Sequence, residues 1–486
     1  MFEAVELGQR VSKSEYAAEE ADLRTRLLQA QRRLRESRSG LVVIVSGVEG
    51  AGKSEVVNLL NTWLDPRGLR THAFWDESDE ERERPPYWRF WRALPPRGTT
   101  GIMFGSWYTR PIVARALGKI DQDAFERELA RIVEFEAMLA QDDLLLVKCW
   151  YHLPRDEQKK RLKRKKRPEA LAFQKRYARR SRDFLAVSER ALRVTDTGPA
   201  PWSVIEATCG RWRNLATGRA ILSCLEARLE AAPPADRQAP PPPVSRPGPT
   251  VLDRVVQPEP LAPERLDKQL AKYQERLREL AWEARRRGRS SVIVFEGWDA
   301  AGKGGAIRRL AACFDARLLR VISVAAPSDE ERAQHYLWRF WRHIPRAGYA
   351  TIYDRSWYGR VLVERVEGFA RADEWRRAYQ EINDFEEQLV EHGAVLCKVW
   401  LHISAEEQLR RFQEREVTAW KQHKITAEDW RNRDKWDAYT VAINEMVART
   451  STAAAPWTIV PGNDKRSARL EVVKLVAERL GAALEA

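Results

Sequence analysis

The sequence predicts an α/β protein made of two tandem copies of one unit, each a parallel β-sheet with flanking helices. Three observations predict it. First, landmarks recur at a fixed spacing of 250 positions: "SDEER" at 78–82 and 328–332, "YWRFWRALPPRG" (87–98) as "LWRFWRHIPRAG" (337–348), "SWYTR" (106–110) as "SWYGR" (356–360), and "KCWYH" (148–152) as "KVWLH" (398–402). Second, short apolar runs alternate with helical segments, the pattern of βαβ units around a buried sheet. Third, in each copy the first apolar run leads into a glycine-rich turn and then a helix, "GVEGAGKSE" at 47–55 and "GWDAAGKGG" at 297–305. In such folds ligands sit at the carboxyl ends of the strands.

Each copy opens with an amphipathic helix. In the second, Leu266, Leu270, Tyr273, Leu277 and Leu280 step by fours and threes along one face. The first buried strand follows as "LVVIV" (41–45) or "SVIVF" (291–295), and later strands as "TGIMF" (100–104), "ATIY" (350–353), "LLLVKCW" (144–150) and "AVLCKVW" (394–400). Trp338 and Trp341, three apart, are expected in the core. Near the end of each copy "TDTGPAPW" (195–202) matches "TSTAAAPW" (450–457) at an offset of 255, so the first copy has lost about five residues. Two copies are too few for a solenoid. Residues 233–263 hold eleven of the 25 prolines, a composition that suits an extended linker. The expected domains are therefore 1–232, a linker at 233–262, and 263–486.

Composition narrows the function classes. With 84 Lys+Arg against 70 Asp+Glu, a formal charge of +14 favours polyanionic partners without choosing among them. The five cysteines are scattered, odd in number and never spaced C-x-x-C, which favours buried thiols over a disulfide framework or a zinc site. No apolar run approaches the ~20 residues of a membrane span, and the N-terminus has no apolar signal core, so a cytoplasmic, soluble protein is expected.

The two glycine-rich turns carry the chemistry. Such a turn between strand and helix directs backbone N–H groups at phosphate oxygens, and its lysine (Lys53 or Lys303) supplies charge to the terminal phosphates. The first turn fits G-x-x-x-x-G-K-[ST] in full. The second has Gly304 where a serine or threonine would ligate Mg²⁺. It offers Asp299 inside the turn, and Asp354 follows the run "ATIY". Two carboxylates at adjacent strand ends can hold Mg²⁺ between them and substrate phosphates. At the places of Asp354 and Arg355 the first copy has Phe104 and Gly105, and at that of Asp299 it has Glu49. A phenylalanine cannot ligate a metal, nor a glycine neutralise a phosphate. The copy that fits the pattern better is thus the one expected to be inactive.

The stretches "EGWDAAGKGG" (296–305), "LWRFWRHIPRAG" (337–348), "YDRSWYGR" (353–360), "AWKQHK" (419–424) and "TSTAAAPWTIVPGNDK" (450–465) closely resemble the family-2 polyphosphate kinases. The likeness is strong over 263–486 and degraded over 16–220. It implies a P-loop kinase-like fold with a helical lid, here about 404–455, and phosphoryl transfer between inorganic polyphosphate and nucleotides with Mg²⁺. Fused two-unit members are similar to the subclass that converts AMP to ADP in the C-terminal unit. By the same resemblance Lys303 with Gly302, Gly304 and Gly305 matches the phosphate loop, Asp299 and Asp354 the essential aspartates, and Arg355 a phosphate-binding arginine.

In the implied lid, Arg411 and Arg415 are four apart and share a helix face. With Lys421 they are expected to bind the phosphate chain. The alternative is a solvated face paired with the local acids of "LRRFQERE". An AMP phosphate is already anionic, with a second pKa near ~6, so no strong general base is needed, and the seven histidines form no cluster. Competing readings are an ATP-dependent nucleoside monophosphate kinase and a non-catalytic polyanion-binding scaffold. The first copy, with fourteen Lys/Arg against three acids at 155–182, is expected to be structural or to dock polyphosphate. No specific nucleic-acid partner is expected, and homo-oligomerisation is left open.

Overall fold

The computed structural model describes residues 1–164, 180–230, 250–259 and 261–485. They form two compact units. The described residues of the first fall within Met1–Glu77, Arg89–Pro233 and Ser328–His335, and those of the second within Ser78–Trp88, Pro234–Pro327 and Tyr336–Ala486. The two "SDEER" segments are thus exchanged relative to a simple cut in the linker. Inside the second unit the Glu83 carboxylate accepts from Arg346 Nε, Ala347 N donates to Glu83 O at 3.1 Å, and Arg84 Nε donates to Ile344 O at 3.0 Å. Inside the first unit Arg97 N donates to Ala333 O at 2.7 Å.

In the first unit the strands are β1 (Gly40–Gly47), β2 (Leu69–Ala73), β3 (Thr100–Phe104), β4 (Leu144–His152) and β5 (Trp202–Glu206), in the order β2-β3-β1-β4-β5. In the second they are β6 (Ser291–Gly297), β7 (Leu319–Ser323), β8 (Ala350–Asp354), β9 (Val395–His402) and β10 (Trp457–Pro461), in the equivalent order β7-β8-β6-β9-β10. Every pairing is parallel. The central strands are apolar on both faces because helices cover both; Val292, Ile293, Val294 and Phe295 are fully buried. Edge strands β2 and β7 are half exposed, which is why "LRTHA" and "LRVIS" give no clear strand signal. Trp338 and Trp341 are buried as expected, and the opening helix, Pro263–Arg286, buries Leu266, Leu277 and Leu280.

One buried polar cluster appears identically in both copies. Lys398 Nζ on β9 donates to Glu386 Oε2 (2.7 Å), Tyr358 Oη (3.0 Å) and Thr450 O (2.6 Å), while Trp357 Nε1 and the Tyr358 hydroxyl donate to Glu386 Oε1. Lys148, Glu136, Tyr108, Thr195 and Trp107 repeat this in the first unit. The "SWY" and "K-x-W" landmarks are therefore the two sides of one buried lock. Of the five cysteines, Cys149, Cys313 and Cys397 are buried, Cys209 and Cys224 partly so, and all are free.

The part of the linker that is described, Thr250–Glu259, is not simply extended. It turns at Val251–Arg254, buries Leu252, and is held to the second unit through Leu252 N on Asn444 Oδ1 and Asn463 N on Gln257 Oε1. The basic stretch at 155–182 begins as the helix Arg155–Arg164, and its residues 165–179 lie outside the described residues. Among the described residues, no helix is long and apolar enough to cross a membrane.

Candidate active site

In the second unit the glycine turn leaves β6 at Gly297 and enters the helix Lys303–Ala311. Three positions of the turn have positive φ, Gly297 (+148°), Ala300 (+61°) and Gly302 (+106°). Space around Gly302 and Gly304 is open, as close approach of a phosphate chain requires. The Lys303 ammonium donates to Gly297 O (2.7 Å) and Trp298 O (3.2 Å), which bends it back over the turn. Burial pulls its pKa down, against the attraction of Asp299, Asp354 and Glu296.

Asp299 meets Arg355 directly. Arg355 Nη2 donates to Asp299 Oδ1 at 3.1 Å, and Asn432 Nδ2 donates to Asp299 Oδ2 at 3.0 Å. Burial alone would raise the Asp299 pKa; the charges of Lys303 and Arg355 outweigh it and hold the carboxyl below its usual range. Asp354 ends β8 beside Phe295 in the ladder, and its charge is felt at Lys303. Arg355 takes a left-handed backbone (φ +64°), uncommon for a side chain of its size; its first-copy counterpart Gly105 has φ +82° without penalty. The strain is kept only in the copy that places a guanidinium there.

The structure brings Asp299, Lys303, Asp354 and Arg355 to one site, with Gly302 ending the turn and Gly304 and Gly305 in the first turn of the helix that follows. It corrects the expectation for Arg411. That side chain is buried, donating from Nε to Glu407, from Nη1 to Ala300 O (2.9 Å), and from Nη2 to Gly462 O (2.7 Å) and Asn463 O (2.9 Å). Buried, and with four N–H donors on Glu407 and three carbonyls, Arg411 braces the phosphate loop from behind rather than facing a substrate. Arg161 does the same in the first unit, on Gly50 O, Thr208 O and Glu157, which marks the brace as architectural. Arg415 is half-buried on the same helix, Ala405–Val417, and its charge contributes to lowering the Asp299 pKa. Lys421 is paired with Glu414. Arg411→Lys, which keeps the charge but loses the fork, is expected to destabilise the second unit by about 1.5–3 kcal/mol, measured as a lower urea midpoint.

Two groups escaped the sequence reading. Glu296, the last side chain of β6, is buried and accepts from Ser356 Oγ at 2.7 Å; burial raises its pKa, opposed by that hydrogen bond and by Lys303 and Arg355. The first copy has Ser46 in its place. Trp298 stacks flat on Trp436, ring centroids 3.6 Å apart, joining the turn to the helix Trp436–Thr450 of the expected lid segment, which is helical through most of 405–450. A cavity opens beside Asp299 and Arg355, with Trp298, Leu362, Val363 and Trp400 as apolar walls and Glu296, Gln408, Asn432 and Tyr439 adding polar groups to its lining. In the first unit Lys53 is instead neutralised within its own turn, since Glu49, one methylene longer than Asp299, reaches its ammonium at 3.0 Å.

Comparison with known proteins agrees with this two-copy architecture. The family model "Polyphosphate kinase 2 (PPK2)" matches residues 10–233 and again 261–485. A Pseudomonas aeruginosa protein named polyphosphate:AMP phosphotransferase is 46% identical over 495 aligned residues, covering 99% of this chain and 99% of its own. Relatives with the same name from Pseudomonas syringae (44% identity, 99% and 98% covered) and Acinetobacter johnsonii (37%, 95% and 96%) also align end to end. A crystal structure from Pseudomonas aeruginosa, assigned to polyphosphate kinase 2, superposes with a TM-score of 0.90 at 45% identity, covering 100% of this chain and 99% of that one. With both copies matched, the chain belongs to the polyphosphate kinase 2 family.

Proposed function

We infer that the chain transfers a phosphoryl group from inorganic polyphosphate to AMP, giving ADP, the activity for which its full-length relatives are named. The observation that carries this is the end-to-end alignment with those relatives, joined to a second-copy phosphate loop whose Asp299, Asp354 and Arg355 gather around Lys303. Neither an ATP-dependent kinase nor an inert scaffold has comparable support.

Phosphoryl transfer is catalysed mainly by positioning and charge neutralisation. Lys303 and Arg355 would neutralise the reacting end of the polyphosphate, and the backbone N–H groups of Gly302 and Gly304 would cradle its oxygens, while Gly305 N donates to Gly302 O at 2.9 Å and closes the first turn of the helix. The cavity beside Asp299 is suited to the nucleoside of AMP, with apolar walls for the base and Asn432 and Tyr439 for its polar edge. The donor set at Asp299 and Asp354 fits Mg²⁺. Both are hard carboxylate ligands, and Mg²⁺ is ordinarily held by one or two carboxylates, with phosphate oxygens and water completing the shell. Bound there, the ion would supply charge neutralisation to the phosphates in transit. Arg411 keeps the turn in shape, Arg415 adds positive potential, and Lys421, paired with Glu414, lies within the lid segment.

The test is ADP formation from AMP with Mg²⁺, using polyphosphate and then ATP as donor. Product with polyphosphate alone is expected. Product with ATP alone would overturn the reading in favour of a nucleoside monophosphate kinase, and none with either would favour the scaffold.

A further inference from the structure

Two helices flanking the phosphate loop of the second unit carry positive charge that pairs with no acid among the described residues. The helix Lys303–Ala311 bears Arg308 and Arg309, and the C-terminal helix Lys465–Glu485, packed against it, opens with Lys465, Arg466 and Arg469. Arg469 lies over the first turn of the loop helix, where a Cβ on Gly305 would stand 3.2 Å from its Nη2. The acids nearby are already engaged. Glu414 is taken by Lys421 and Arg410, and Asp464 accepts from Ser467 N and Arg466 N at the start of its own helix. Burial lowers the Arg469 pKa, and the charges of Arg309, Arg308 and Arg466 lower it further, so these cations share one field.

The duplication supplies an internal control. The last helices of the two copies are equally long, Gly210–Glu230 and Lys465–Glu485, so their residues align one to one. Four of the five cations are missing from the first copy, which has Asn58, Leu59, Gly210 and Asn214 at those positions. The fifth, Arg211, is spent on Val11 O at 2.7 Å. The copy that lacks the strand-end aspartate also lacks these charges. Uncompensated like charges closer than a Debye length repel and give the fold nothing in return.

We propose that Arg308, Arg309, Lys465, Arg466 and Arg469 form an outer anion site that binds the stretch of polyphosphate beyond the reacting end. This rests on the functional reading above and deepens it, because a site outside the loop is useful only for a donor longer than the few phosphates the loop can hold. Single-stranded RNA is the other regularly charged polymer, but neither helix has an exposed large aromatic on which bases could stack.

The test is the triple variant Arg308→Gln/Arg309→Gln/Arg466→Gln, with KM measured for long-chain polyphosphate and for tripolyphosphate. The ratio of long-chain to short-chain KM is expected to rise about ten-fold, and the salt dependence of the long-chain KM to flatten. The matching Lys substitutions at the same three positions should restore the ratio, which separates lost charge from lost folding. An unchanged ratio in an enzyme that does use polyphosphate overturns the site alone, whereas a wild type that accepts only ATP overturns the functional reading itself. Loss of single-stranded RNA binding in the triple variant, read by fluorescence anisotropy, with the polyphosphate ratio intact would also overturn the site.

Discussion

Asp354→Asn is expected to lower kcat for ADP formation about 10²–10³-fold, equivalent to about 2.7–4 kcal/mol of transition-state stabilisation, with a much smaller change in thermal stability. The substitution keeps the shape of the side chain and removes its charge. Asp354 is the cleaner of the two aspartates to test, because Asp299 also holds Arg355 and Asn432, so Asp299→Asn would disturb the arginine as well as the proposed metal ligands. Asp354 is half-exposed at the end of β8, and its charge acts on the Lys303 ammonium. Its loss would leave two cations, Lys303 and Arg355, facing the polyphosphate with one carboxylate fewer to hold the divalent ion between them and AMP. The Mg²⁺ concentration for half-maximal rate should rise in the same variant. Steady-state kinetics with Mg²⁺ titration gives both numbers, and near-wild-type turnover at saturating Mg²⁺ would remove Asp354 from the site.

What was legible in the sequence was local or repeated. Glycines at fixed spacing, an apolar run before them and a 250-residue echo identify the loop, the central strands and the copy with the acids, because each depends on neighbours a few residues away or on a second example. What was hidden depended on distant partners. Arg411 looks like a surface residue on a charged helix, and only folding brings Ala300 O, 111 positions away, to its guanidinium. Glu296 sits at the end of an apolar strand, where a buried acid has no local marker, and its partner Ser356 is 60 positions on. The exchange of Ser78–Trp88 into the second unit could not be read either, since a repeated segment shows that it has a counterpart but not which unit it packs in. One signal was present and unread. A lysine inside the apolar strand "LCKVW" cannot be buried alone, so Lys398 had to have an acidic partner.

That partner makes Lys398→Met the substitution with the largest expected effect on stability. Lys398 and Glu386 are both almost completely buried, with the ammonium 2.7 Å from the carboxylate. Burial pushes the Glu386 pKa up and the Lys398 pKa down, while each opposes the other's shift, so the pair is favourable only as a pair. Removing the lysine leaves Glu386 facing only Trp357 Nε1 and the Tyr358 hydroxyl, and strands Thr450 O. The expected cost is about 3–5 kcal/mol, read as an earlier unfolding transition of the second unit in urea. Activity should fall with it, because Trp357 and Tyr358 follow Asp354 and Arg355 by a few residues and fix where that turn leaves β8. Lys148→Met is the matched control. It breaks the same five-residue cluster in the first unit, so it should cost a similar amount of stability with a smaller loss of turnover. Equal urea midpoints for Lys398→Met and the wild type would show that the buried pair does not hold the unit together.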